Sequence, residues 1–332
     1  MKIAWQTRSQ LLFDSLEKNE LQSGVNGGNI YDFDAAQALM RKHSLRPYEK
    51  AVWLKDNPIS YWLKLRSQAN ADISIIEPSP LVFGTLSKKK KYVAIVHHID
   101  FERIEKSIKH RWFFHRLLKK LKKVDAVVTV SKYWKSYLEK NGCKNVHIIY
   151  NSFDVHNYKF NDEQLTSIRK KLGLDTFKPL IHIGNASAEK GVYEVYQALK
   201  SMNVQLVMTG GSNKAKDLPV PFFNLSPTDY RILLGSCDAV VAFSSMSEGW
   251  NRIAHEAMLC KVPVIGSGLG GMKELLEGGK QLVVRNELEI QDKIEIALNR
   301  KVELGGLGYS YASQFNLFYF DKAWNELVEQ LG

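Results

Sequence analysis

An alternation that runs twice along the chain constrains its fold more than any other feature. Short apolar, β-branched runs at 2–5 (KIAW), 50–54 (KAVWL), 71–76 (ADISII), 92–98 (YVAIVHH), 125–131 (DAVVTVS) and 145–151 (NVHIIYN) read as strands. Amphipathic patterns at 30–43 (IYDFDAAQALMRKH) and 132–142 (KYWKSYLEKNG) read as helices between them, the second closed by Gly142 as a C-cap. The pattern restarts at 179–185 (PLIHIGN) and continues through strands at 204–211, 238–244 and 262–267, with helices at 191–201, 228–236 and 271–279. Strands apolar along their whole length, alternating with helices, predict a parallel sheet covered on both faces.

With 332 residues the chain exceeds the usual span of one core, so two α/β units are expected. Residues 152–178 are polar and irregular, and the boundary falls early in them. The division is 1–153 and 154–312, with 313–332 a closing amphipathic helix that no strand follows.

Ligands of open parallel sheets collect where strand ends lead into helix N-termini, and three loops have that context. In SGVNGGN (23–29), Gly24, Gly27 and Gly28 would let backbone amides approach a phosphate, or serve simply as turn formers. In IHIGNASAEKG (181–191), Gly184 ends a strand and Lys190 stands just before a helix. The macrodipole disfavours a cation there, so Lys190 reads either as an anion ligand or as a solvated surface lysine. In SEGWNRIAHEAM (247–258), Glu248 falls on a loop and Glu256 in the second turn of a helix expected to start near Trp250. A carboxylate accepts two hydroxyls at once, so either could hold a sugar diol; the alternatives are an ordinary N-terminal acid and a solvated side chain. No second histidine stands four residues from His255, so the segment offers no metal site.

Three scattered cysteines suit neither a disulfide framework nor a zinc site, and MKIAWQTRSQ lacks the apolar core of a signal peptide, so a cytoplasmic setting is expected. The net charge of +11 is concentrated: residues 86–123 hold thirteen Lys/Arg against three Asp/Glu. Within them Ile104, Ile108, Trp112, Phe113, Leu117 and Leu121 recur at helical spacing, the pattern of a helix lying on an anionic membrane or of a core-facing helix with a solvated basic face. No zinc-finger or RNP-type motif accompanies the charge, so no nucleic-acid partner is expected.

SEGWNRIAHEAMLCKVPVIGSGLGGMKELLEGG (247–279) resembles the Glu-x7-Glu signature of the family 4 glycosyltransferases. DAVVTVSKYWKSYLEKNGCKNVHIIYNSFD, IHIGNASAEKG, TDYRILLGSCDAVVAFSSMSEG, the loop at 24–28 and VHHID (96–100) are similar to other parts of that family, in the same order. The resemblance implies the α/β GT-B fold: two Rossmann-like domains facing a cleft, an acceptor-side one first and a nucleotide-sugar one second, with the C-terminal helix returning to the first. It implies a retaining, metal-independent transfer from a nucleoside diphosphate sugar, with no cofactor. The acceptor would be a glycan or lipid-linked precursor of a cell-surface polysaccharide, and the enzyme would sit peripherally on the inner face of the cell membrane.

Carried over, Lys190 holds the diphosphate, Glu248 the transferred sugar and Glu256 the ribose. His97 (or His98) lies near the donor sugar, Gly27 and Gly28 meet phosphate or acceptor, and Gly184, Gly249, Trp250 and Asn251 complete the donor site. The family's Gly-Arg is Gly184-Asn185 here, and Arg252 is the candidate replacement for the missing cation. Alternatives are an epimerase or phosphorylase on the same fold, an inactive partner subunit, and a basic nucleic-acid-binding protein.

Overall fold

The computed structural model describes residues 1–7, 10–20, 27–47, 71–210 and 212–332. The strand expected at 50–54 and Gly24 lie outside them. The described residues divide into two compact units, Met1–Ser152 with Leu317–Gly332, and Phe153–Asn316.

In the first unit, strands β1 (Lys2–Gln6), β2 (Ser44–Pro47), β3 (Ile73–Ile76), β4 (Lys91–Val96), β5 (Ala126–Thr129) and β6 (Val146–Ile148) form one sheet in the order β2-β1-β3-β4-β5-β6. Every pairing is parallel. The interior residues of β3 to β5 are fully buried, as strands covered on both faces must be. Helices α1 (Gln10–Lys18) and α2 (Gly27–Met40) follow β1. The first was not anticipated, although Leu12, Phe13 and Leu16, all buried, stand at helical spacing. The last helix of the chain, Leu317–Leu331, packs on α2, and its Trp324 lies 6.3 Å from the rings of both Trp5 and Tyr31.

The basic segment is two helices rather than one, α4 (Phe101–Lys106) and α5 (Ile108–Leu121), α3 being the short Pro78–Phe83 turn ahead of β4. The break is Ser107, whose extended backbone (φ −142°, ψ 123°) cannot continue a helix. Helix α6 (Lys132–Lys140) starts at the Ser131 cap and ends before Gly142 at φ +82°.

The second unit has strands β7 (Leu180–Asn185), β8 (Gln205–Thr209), β9 (Phe222–Phe223), β10 (Ala239–Ala242), β11 (Val264–Gly266) and β12 (Leu282–Val283), all parallel, in the order β12-β11-β10-β7-β8-β9. The first strand of this sheet has later strands on both sides, so the strand order reverses between β7 and β10. Residues 152–178 are not irregular throughout: they hold helix α7 (Asp162–Lys171). A reciprocal capping box between Asn161 and Gln164 starts it, a local signal in NDEQ outweighed by the polarity of the stretch. Of the closing segment expected as a helix over 313–332, residues 313–316 are not helical and the helix is Leu317–Leu331. The remaining helices are α8 (Val192–Leu199), α9 (Pro227–Ser236), α10 (Arg252–Leu259), α11 (Gly271–Gly278), α12 (Ile290–Asn299) and α13 (Lys301–Ala312).

Candidate functional site

Three loops leave the carboxyl ends of the neighbouring strands β7, β10 and β11 and are tied together. The carbonyl of Glu189, before α8, accepts from the Ser245 amide and the Ser244 hydroxyl, each at 3.3 Å, in the loop after β10. Further along that loop, the Glu248 amide donates to Leu269 at 3.3 Å and the Gly271 amide donates to Glu248 at 2.9 Å. Two glycines make this closeness possible. Gly191 has φ +68°, and a Cβ there would stand 2.0 Å from the Phe243 carbonyl oxygen. Gly270 has φ +68°, and a Cβ there would stand 2.4 Å from the Glu248 oxygen.

This stitching brings Lys190 and Glu248 together: Nζ donates to Oε1 at 2.6 Å, with 30% and 12% of the side chains exposed. The pair sits at the strand-order reversal between β7 and β10, where open parallel sheets bind ligands. Gly184, next to last in β7, has φ +104°. Asn185 carries no charge, and its side chain lies near Gly210, 3.9 Å from where a Cβ would be.

Helix α10 starts at Arg252, two residues after the expected Trp250. Asn251 is the reason: it holds φ +77° and caps the helix by accepting from the Ala254 amide at 2.9 Å. Trp250 is 2% exposed, so its indole is buried in the loop and does not face a ligand. Its indole N–H donates to His255 Nδ1 at 2.8 Å, and His255 Nε2–H donates to the Ala312 carbonyl at 3.0 Å. Burial holds the His255 pKa down to about 3, so it is a neutral core histidine that anchors the loop. His182 in β7 is its counterpart, lowered to about 4 by burial and bonded to Thr209 at 2.8 Å.

Glu256 accepts from two tyrosines that the sequence did not single out. Tyr158 donates to Oε1 at 3.2 Å and Tyr230 to Oε2 at 2.9 Å. Burial raises the Glu256 carboxyl above its ordinary range, against the pull of Arg252, the two hydroxyls and Arg231. Arg252 lies with its guanidinium carbon 4.3 Å over the Phe153 ring and favours the ionised form of Glu256. The structure thus gathers Lys190 with Glu248, and Arg252 with Glu256.

In the first unit, Gly27 and Gly28 are the first residues of α2 rather than loop residues. One turn on, Asp32 is buried at 4% exposure, and its Oδ1 lies 3.1 Å from His97 Nε2 in the loop after β4. Tyr31 sets its ring edge against His97 at 4.9 Å and donates its hydroxyl to Ile149 at 2.9 Å. His97 therefore has an oriented ring, whereas His98 is exposed. Asp32 was legible only as an acid inside the apolar stretch IYDFDAA. Asp34 is two residues away, a spacing that sends helical side chains to different faces, so the two carboxylates do not converge on one ion.

Part of the basic segment is structural. Arg116 Nε donates to the Val82 carbonyl at 2.9 Å and Lys120 Nζ to Gly84 at 2.7 Å, closing the end of α3. Leu117 and Leu121 enter the core, whereas Ile108 (81% exposed) and Trp112 (52%) lie outside among Lys109 and Arg111. Among the described residues no helix is long and apolar enough to cross a membrane.

Residues 32–157 match the family model described as Glycosyltransferase Family 4, and residues 165–304 the one described as Glycosyl transferases group 1. An N-acetyl-alpha-D-glucosaminyl L-malate synthase of Bacillus anthracis is 29% identical over 150 residues, 41% of this chain and 39% of that protein, well under half its length. An uncharacterized glycosyltransferase of Methanocaldococcus jannaschii is 26% identical over 261 residues, 70% of this chain and 67% of that one. Among solved structures, Anabaena Alr3699/HepE in complex with UDP and glucose superposes with a TM-score of 0.77 at 19% identity, covering 99% of this chain and 100% of that one. A sucrose-phosphate synthase from Thermosynechococcus elongatus gives 0.78 at 15% identity, covering 100% and 99%. These two likenesses show the fold.

Proposed function

Because this chain belongs to the family-4-like GT-B glycosyltransferases, we propose that it moves a sugar from a nucleoside diphosphate sugar to a lipid-linked or cell-surface glycan acceptor, with retention and without a metal ion. The observation that carries this reading is the Lys190–Glu248 pair at the strand reversal of the second sheet, with Glu256 in the second turn of the helix that follows the Glu248 loop. The leaving diphosphate gains negative charge in the transition state, which Lys190 and the backbone amides beside it would meet. Diphosphate binding would draw Lys190 off Glu248 and leave that carboxylate to accept from the sugar hydroxyls. Glu256 would hold the ribose. Arg252 is the second cation in this account, and Arg252→Ala should weaken donor binding. Uracil is the base to test first, since Alr3699/HepE was solved with UDP and with UDP-glucose.

The acceptor reading rests on the exposed Ile108 and Trp112 amid lysine and arginine, a surface suited to an anionic bilayer on the cytoplasmic side. A transfer assay with labelled UDP-, GDP- and ADP-sugars and a bacterial lipid extract tests the whole reading. Label should enter the lipid fraction with the donor's anomeric configuration, and the protein should float with anionic but not neutral vesicles at low salt. No incorporation from any donor refutes the transfer, an inverted anomer refutes retention, and equal flotation refutes docking.

A further inference from the structure

We propose that Tyr158 and Tyr230 are positioning residues for Glu256: together they fix its carboxylate so that its remaining lone pairs face the ribose diol of a bound nucleotide. The inference rests on the reading of Glu256 as the ribose ligand. The two tyrosines come from separate elements, Tyr158 from the end of the short turn Val155–Tyr158 and Tyr230 from the first turn of α9, and each takes a different oxygen, at 3.2 and 2.9 Å. An ionised carboxylate has about four acceptor positions. Two are occupied here, which leaves one on each oxygen for a pair of adjacent hydroxyls.

The surroundings keep this arrangement one-directional. Burial first, and then the charge of Glu256, push both tyrosine hydroxyls well above their ordinary range, so they remain O–H donors at any physiological pH. Burial alone would push Glu256 towards its protonated form, in which one oxygen donates and competes with an incoming hydroxyl. The two tyrosines, Arg252 and Arg231 oppose that. Tyr158 is itself held in place, 7% exposed, its ring edge-on to Phe153 at 6.1 Å and below the Arg231 guanidinium at 5.9 Å. Packing of this kind needs only a ring, and phenylalanine would serve it equally. Among the described residues, both hydroxyls are bonded to Glu256.

The test is calorimetric titration of wild type, Tyr158→Phe, Tyr230→Phe, the double variant and Glu256→Gln with UDP, GDP and ADP. The tightest of the three is then compared with its 2′,3′-dideoxy counterpart, and thermal melting establishes that each variant is folded. Glu256→Gln and the double variant should lose about tenfold in affinity for the ribonucleotide, as expected for hydrogen bonds to a charged group, and change little for the dideoxy form. Each single variant keeps its ring, so either that folds shows the same selective loss to a smaller degree. Equal loss from both nucleotides in the tyrosine variants, with a selective loss in Glu256→Gln, overturns the positioning role and leaves the ribose reading standing. A Glu256→Gln variant that discriminates as wild type does, or a wild type that binds no nucleotide, overturns both.

Discussion

Gly191 carries the loop after β7 on a single backbone conformation. Its φ of +68° turns the chain directly after Lys190, and its missing side chain admits the Phe243 carbonyl from the loop after β10. Gly191→Ala should therefore cost on the order of 2–3 kcal/mol in urea unfolding, from left-handed strain and the overlap with Phe243 combined, and should weaken donor binding with it. Gly306→Ala is the control. That residue lies inside α13 with nothing within 4 Å of the added methyl, so alanine should stabilise by about 0.5–1 kcal/mol. A Gly191→Ala variant as stable as wild type would show that the loop does not depend on glycine at 191. At this scale Lys190, Glu248 and Glu256 were candidates from their places at strand-to-helix loops, and the resemblance to the Glu-x7-Glu signature is what singled them out together. Tyr158, Tyr230 and Asp32 were not, because each acquires its partner only through folding: 98 residues separate Tyr158 from Glu256 and 65 separate Asp32 from His97.

Two elements of the second unit hold a neutral histidine in the core, His182 in β7 and His255 in α10. Their folded pKa values, about 4 and about 3, lie below the ordinary value near 6.5. As pH falls below 6.5 the unfolded chain takes up protons that the folded one refuses, so this stability is complete above 6.5 and is lost as pH falls towards 4 and 3. Glu256, with its raised carboxyl, works in the opposite direction as pH falls from its raised folded value towards the ordinary one. The melting temperature should fall between pH 7 and pH 5, by less in a His255→Gln variant, and an unchanged or rising value would contradict the assignment. Strands β1, β3 to β8, β10 and β11 were legible because apolar runs leave little choice of structure, whereas β2 (Ser44–Pro47) and β9 (Phe222–Phe223) were not expected. The end of α6 was legible because Gly142 announces it. Helix α7 was hidden by its polar surface, and β12, only Leu282–Val283, was too short to register as a pattern. Ser107 gave no warning of the break between α4 and α5, since serine is tolerated within helices and its extended backbone is a tertiary choice.

Across the whole chain, the sequence repeats one architectural theme and assigns each copy a different chemistry. The first unit carries nearly all the excess positive charge, an oriented His97 and the glycine start of α2. The second carries the Lys190–Glu248 pair and the clamped Glu256. The central claim is that this second group binds a nucleoside diphosphate sugar. Calorimetric titration of wild type, Lys190→Ala and Glu248→Gln with UDP-, GDP- and ADP-sugars, and with the corresponding diphosphates, tests it most directly. One donor should bind the wild type, Lys190→Ala should lose at least about tenfold for both sugar nucleotide and diphosphate, and Glu248→Gln should lose affinity for the sugar nucleotide alone. A wild type that binds none of these donors, or a Lys190→Ala variant that binds as wild type does, would contradict it.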